Sequence, residues 1–173
     1  MSRLRAAPLA ALAAALAASF LVACGDAGSS ASTAAPPTGT VAVYFAGDAG
    51  DLVAEARPVP AGTGPLDAAM GALAEGPASP DLIAALPPGT RVLGAAVEDG
   101  VATVDLSADF EAGYPPGGSA AELAAVAPLV RTAAEAAGTG RVRILVEGRA
   151  PAPAGGQLDL SEPLSPEDVA AGG

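Results

Sequence analysis

Large and small apolar side chains alternate along Val41-Ala42-Val43-Tyr44-Phe45, and the run then meets Gly47-Asp48-Ala49-Gly50-Asp51. A period of two followed by turn formers predicts a strand entering a loop. A second extended stretch, Leu52 to Val59, carries Glu55 and Arg57 at alternate positions and ends among Pro58 and Pro60, the composition of an edge strand. The two are expected to form a hairpin. The period then changes. Leu66, Ala69, Met70 and Leu73 recur at i, i+3, i+4 and i+7 behind Pro65, and Glu75-Gly76-Pro77 stops the run, so a helix is predicted. Ser79-Pro80 is expected to open a further short turn of helix, with Leu82, Ile83 and Leu86 facing inward until Pro87-Pro88-Gly89 ends it.

Arg91 to Leu106 places Asp99-Gly100 between two β-like runs, and Asp-Gly favours a two-residue hairpin loop because both positions tolerate positive φ. With that loop, Glu98 faces Val101, Val97 faces Ala102, Ala95 faces Val104 and Leu93 faces Leu106. The last three pairs are apolar and define a core face; a slip of one residue would mix the two faces, so the pattern specifies the register. After the Gly- and Pro-rich Ala112 to Gly118, Ser119 with Glu122 has the spacing of a capping box. Leu123, Val126, Ala127, Val130, Ala133, Ala134 and Ala137 then trace one face of a long helix closed by Gly138. Pro128 lies across the helical wheel from Leu123, which predicts that it sits on the outer face and bends the helix. A final strand runs from Val142 to Glu147, and Gln157 to Leu160 is a candidate edge addition. The order β-β-α-β-β-α-β predicts an α+β fold, a mixed β-sheet with helices packed on one face.

The N-terminus has a different pattern. Arg3 and Arg5 precede an apolar run from Ala6 to Val22 that ends in Leu21-Val22-Ala23-Cys24. This is the layout of a signal peptide, and its last four residues resemble the bacterial lipobox. That resemblance implies cleavage between Ala23 and Cys24 and acylation of the Cys24 thiol. Two acyl chains hold a protein stably at a membrane where one does not. Gly25 to Thr38 is Gly, Ala, Ser, Thr and Pro, the composition of a flexible tether spanning on the order of 20 Å. The expected divisions are 1–23 signal peptide, 24–39 tether, 40–164 folded domain and 165–173 disordered tail.

Composition narrows the chemistry. The 173 residues hold 8 Arg, no Lys, 19 acids, no His and one Cys. Cleavage removes Arg3 and Arg5, leaving six cations against 19 anions, a net charge of −13 that repels phosphate backbones. Nucleic acid is therefore not an expected partner. Without His the Ser-His relay cannot be assembled, and with two Tyr, three Phe and no Trp a sugar-binding groove lacks its usual lining. The one Cys leaves no internal disulfide. Asp105, Ser107, Asp109 and Glu111 cluster at a strand end, a set that can ligate calcium or cap turns; their spacing matches no calcium loop, so capping is expected.

Several stretches occur together and in order: Tyr44-Phe45, Leu73-Ala74-Glu75-Gly76-Pro77, Leu86-Pro87-Pro88-Gly89-Thr90, Asp99-Gly100-Val101-Ala102-Thr103-Val104-Asp105-Leu106-Ser107, Phe110, Arg131-Thr132 and Val146-Glu147-Gly148. Their succession over Thr40 to Pro163 resembles the GerMN domain, the sporulation and spore-germination module named for GerM. The resemblance implies a small α/β module similar to the ring-building motifs of envelope assemblies, found in lipoproteins, with no known catalytic residues. No catalytic residue, cofactor or metal ligand is expected, and Cys24 is the lipid site. The expected function is a lipid-anchored, non-catalytic interaction module on the extracytoplasmic face of the cell membrane. Its partner is an envelope protein or a second copy, met through a sheet edge or helix face. The alternative is a binder of a small ligand or cell-wall polymer, which requires a concave pocket.

Overall fold

The computed structural model describes residues 36–114, 119–151 and 158–170. The elements are β1 (Gly39–Gly47), β2 (Leu52–Val59), α1 (Pro65–Glu75), β3 (Leu82–Ile83), β4 (Val92–Glu98), β5 (Val101–Leu106), α2 (Asp109–Gly113), α3 (Ser119–Ala137) and β6 (Arg141–Val146). They form an α+β fold in which the strands divide into two three-stranded sheets, β2-β1-β3 and β4-β5-β6. The first is antiparallel throughout; the second is mixed, with β4 antiparallel and β6 parallel to β5. A parallel neighbour needs a long crossover, and α2 with α3 supplies it.

The helices connect the two sheets. α1 packs on β1, β2 and β4, α3 packs on β1, β5 and β6, and the helices pack on each other. Both sheets therefore bury apolar residues against one helix pair. Val43 and Phe45 come from β1, Met70 and Leu73 from α1, Val104 and Leu106 from β5, Val126, Leu129 and Val130 from α3, and Val142, Ile144 and Val146 from β6; all are essentially solvent-free. The alternation in β1 and β5 and the i, i+3, i+4, i+7 set of α1 all point into this core, as the sequence predicts.

The predicted hairpin forms with Asp99 and Gly100 both at positive φ, 50° and 76°. Glu98, Val97 and Ala95 face Val101, Ala102 and Val104 as expected. The register departs at the far end. A bulge makes Leu93 an extra residue, so Val92 instead of Leu93 faces Leu106. Ala102, Val104 and Leu106 are buried, whereas Leu93 and Val97 are 47% and 48% exposed, because β4 is an outer strand that the helices cover only in part.

Three further expectations are corrected. Leu82 and Ile83 form the short strand β3 against Ala46 and Gly47 instead of a helical turn, and Ile83 is exposed: the end of β1 offers an open edge, and the Ser79 amide is already committed to Glu55. Pro128 is buried, as are its neighbours from Val126 to Val130, because α3 meets β1 on one side and β5 and β6 on another. Residues 165–170, expected as disordered tail, belong to the fold. Val169 is 1% exposed, and Leu164 exchanges two backbone hydrogen bonds with Val142 on the edge of β6. The edge addition is thus at Leu164; Leu158 to Leu160 lie in turn structure, and Gln157 falls outside the described residues.

Candidate functional site

Ala23 and Cys24, the residues expected to carry processing and lipid, lie outside the described residues, as does most of the tether. The Ser119 side chain of the capping box does too; Glu122, its partner by spacing, is 1% exposed and accepts a hydrogen bond from the Leu158 amide at 3.3 Å. Burial, with a smaller contribution from the Glu122 charge, pushes the neighbouring Tyr114 hydroxyl up to about 12.

The strand-end acids come together at the junction of β5 and β6. Asp105 Oδ1 accepts from the Gly148 amide at 2.9 Å, Glu147 Oε1 accepts from the Ala108 amide at 3.1 Å, and Ser107 Oγ donates to Asp109 Oδ2 at 2.9 Å while accepting from the Arg91 amide. Glu111 takes both guanidinium nitrogens of Arg149, at 3.2 and 3.0 Å. Each carboxylate is spent on a backbone amide, a hydroxyl or an arginine, which is the capping role preferred from sequence. Such bonds fix the turn at Glu147 and Gly148, both at positive φ.

The turn after α1 is held in the same manner. Glu55 Oε2 accepts from Arg57 at 2.7 Å and from the Ala78 amide at 3.0 Å, its Oε1 accepts from the Ser79 amide, and Arg57 also donates to the Gly76 carbonyl. The Ala78 amide foremost, with Ser79 and Arg57, holds the Glu55 carboxyl below its ordinary value against partial desolvation. In the next turn Pro87 sits against Gly113, where a Cβ would come 2.4 Å from the proline Cβ, so only glycine fits there.

One contact joins two stretches that are far apart in sequence. The Tyr44 amide, on the side of β1 away from β2, donates to Thr132 Oγ1 of α3 at 2.9 Å, and Thr132 is solvent-free. Above it the Tyr44 hydroxyl donates to Glu135 at 2.6 Å, and the Arg131 guanidinium stands 5.3 Å from the Tyr44 ring centroid and 3.7 Å from Glu135. Tyr44, Leu52, Ala127 and Arg131, with Pro166, Val169 and Ala170 from the C-terminal turn, line an open cleft of about 290 Å³. Tyr44 and Arg131-Thr132 are separate motifs in the sequence, and no local pattern indicates that they meet. The available signal was Thr132 itself, a hydroxyl amid apolar positions of the long helix.

Fold and site together define an α+β module whose polar motif residues secure its own loops and edges. Residues 42–151 match the model of the Germane family, described as sporulation and spore germination, and the chain belongs to that family. Among solved structures, the tandem GerMN domains of the sporulation protein GerM from Bacillus subtilis are similar with a TM-score of 0.58 and 21% identity over 75% of this chain and 46% of that one. This chain therefore spans about half the length of that tandem structure. The first GerMN domain of the same protein gives a TM-score of 0.58 and 23% identity over 75% of this chain and 99% of that one. A Clostridium perfringens protein described as a lipoprotein gives 0.51 and 22% over 79% and 95%. No curated protein matches the sequence significantly.

Proposed function

We propose that the protein is a lipoprotein, held by acyl chains on Cys24 at the extracytoplasmic face of the cytoplasmic membrane, whose Germane domain is a non-catalytic docking module for another envelope component. The observation that carries the docking role is the use of the motif residues. Asp105, Glu147, Glu55 and Thr132 each accept from a backbone amide, so the polar groups that distinguish this sequence stiffen a platform instead of converging on a reacting centre. Anchoring is supported by the lipobox-like Leu21 to Cys24 and by the likeness to a protein described as a lipoprotein. A second reading, capture of a small ligand or wall polymer in the cleft beside Tyr44, is the weaker one: Tyr44 and Arg131 turn their polar atoms to Glu135.

Phase partitioning in detergent tests the anchor. The native protein is expected in the detergent phase, with the acyl mass on its N-terminal peptide, and Cys24→Ser is expected to be released or unprocessed. A Cys24→Ser protein still membrane-bound at processed size sinks the lipoprotein reading. Crosslinking in intact membranes tests docking, and its loss on charge reversal over one exposed face, at unchanged melting temperature, is the expected result.

A further inference from the structure

Arg91-Val92-Leu93-Gly94-Ala95-Ala96-Val97-Glu98 carries opposite charges at its two ends and none between. This segment is β4 with one residue added, the outer strand of its sheet. Among the described residues β4 has no hydrogen-bonded strand on its other side, and neither Arg91 nor Glu98 has an ion-pair partner. Leu93 and Val97 are about half exposed beside that open edge. Outer strands are normally blunted by charges or prolines, and the central part of β4 has neither.

The segment is complementary to itself when run antiparallel, since each Arg91 then meets a Glu98. In an unbroken strand this could not happen about a twofold axis. Arg91 and Glu98 are an odd number of residues apart, and their backbone groups would point to opposite edges. The bulge corrects the phase. The Arg91 carbonyl accepts from the Ser107 amide and the Arg91 amide donates to Ser107 Oγ, so its backbone groups face β5; Glu98 faces Val101, and with Leu93 set aside Ala95, facing Val104, stands midway between them. We propose that β4 pairs antiparallel with β4 of a second copy about a twofold axis at Ala95, joining two three-stranded sheets into one. Ala95 meets its own counterpart, Gly94 meets Ala96, Val92 meets Val97, and two Arg91–Glu98 pairs close the ends. Opposite charges directly across strands stabilise a pairing and like charges oppose it.

This inference rests on the docking reading and names its partner. An acidic chain repels its own copy overall, and a charge-neutral strand with a complementary sign at each end lowers that repulsion where the copies meet. A single strand joint is smaller than a standard interface, and confinement of both copies to one membrane by their anchors raises their effective concentration.

The test uses the full chain in its membrane, where Cys24 is the one native cysteine. Ala95→Cys brings two thiols together across the axis and is expected to give a disulfide-linked dimer on mild oxidation; Ala54→Cys on β2 is expected to give none. In the Ala95→Cys background, Arg91→Glu and Glu98→Arg should each reduce the dimer on the order of tenfold, and combining them in one chain should restore it. Coexpressed, the two single-reversal chains should link to each other in preference to themselves. Failure of Ala95→Cys to dimerise at unchanged melting temperature, or dimer yields indifferent to both reversals, overturns the joint. Capture of a different envelope protein without any self-crosslink also overturns it while leaving the docking reading intact; absence of both defeats the two together.

Discussion

β2 and β4 occupy equivalent places, each an outer strand of a three-stranded sheet joined by a short turn to the strand beside it, yet they are finished in opposite ways. β2 carries Glu55, Arg57 and Pro58. Its acid holds the amides of Ala78 and Ser79, and its guanidinium binds the Gly76 carbonyl and lies 5.9 Å from the Phe45 ring centroid, so the turn after α1 is fastened to it. β4 carries no charge before Glu98; α1 packs on its face, but among the described residues its one strand neighbour is β5 and no side chain ties its outer edge to a loop. Topology does not decide whether an edge is closed; a few polar side chains do.

Four substitutions probe that contrast. The largest effect is expected where both sheets meet the helix pair: Leu106→Ala, beside β4 on the solvent-free face of β5, should lose about 2 to 5 kcal/mol in urea unfolding. A loss under about 1 kcal/mol would mean that β5 does not anchor the core. Next is Thr132→Val, which keeps the shape but removes the acceptor that closes the far side of β1. Leaving the Tyr44 amide unpaired should cost about 1 to 3 kcal/mol, and rescue by Thr132→Ser separates the hydroxyl from packing.

Glu55 gives a smaller effect that depends on pH. Its folded carboxyl titrates below the ordinary value, so its contribution is present above that value and is lost as the pH falls through the folded one. Glu55→Gln should therefore flatten the acid limb of a stability–pH curve and lower stability near neutrality; an unchanged acid limb would show that the Ala78 and Ser79 amides gain nothing from the charge. The smallest effect belongs to the open edge. Val97→Ala should alter stability by less than about 0.5 kcal/mol, since half of the side chain already meets solvent. A loss comparable to that of Leu106→Ala would mean β4 is covered.

The fold was legible wherever a local period was uninterrupted. Val41 to Phe45, the Leu66 to Leu73 set and the Asp99-Gly100 turn each announced their element, and the hairpin register held from Glu98 back to Gly94. It failed at Leu93 because a bulge inserts one residue without changing the hydrophobic alternation on either side of it. Pro128 is buried although the helical wheel puts it outside, because a wheel assumes one buried face and α3 has two. Leu82-Ile83 and Val169 depended on open edges and hollows made by residues distant in sequence. Of the candidate site, the individual motifs could be quoted, yet nothing local states that the Tyr44 amide reaches Thr132, 88 positions away.

The sequence by itself determined the main elements β1, β2, α1, β4, β5, α3 and β6 and their succession, the α+β class, the turn at Asp99-Gly100, the family resemblance and the absence of a His-based relay, since each follows from residue type or from short-range periodicity. Only the tertiary structure decided that the strands part into two sheets sharing one helix pair, that the acids at the strand ends cap backbone amides, and that β2 is fastened while β4 is open. The physical reason is that hydrogen-bond satisfaction and burial depend on which distant segments arrive at an edge, and a chain's local pattern specifies only the face it offers to them.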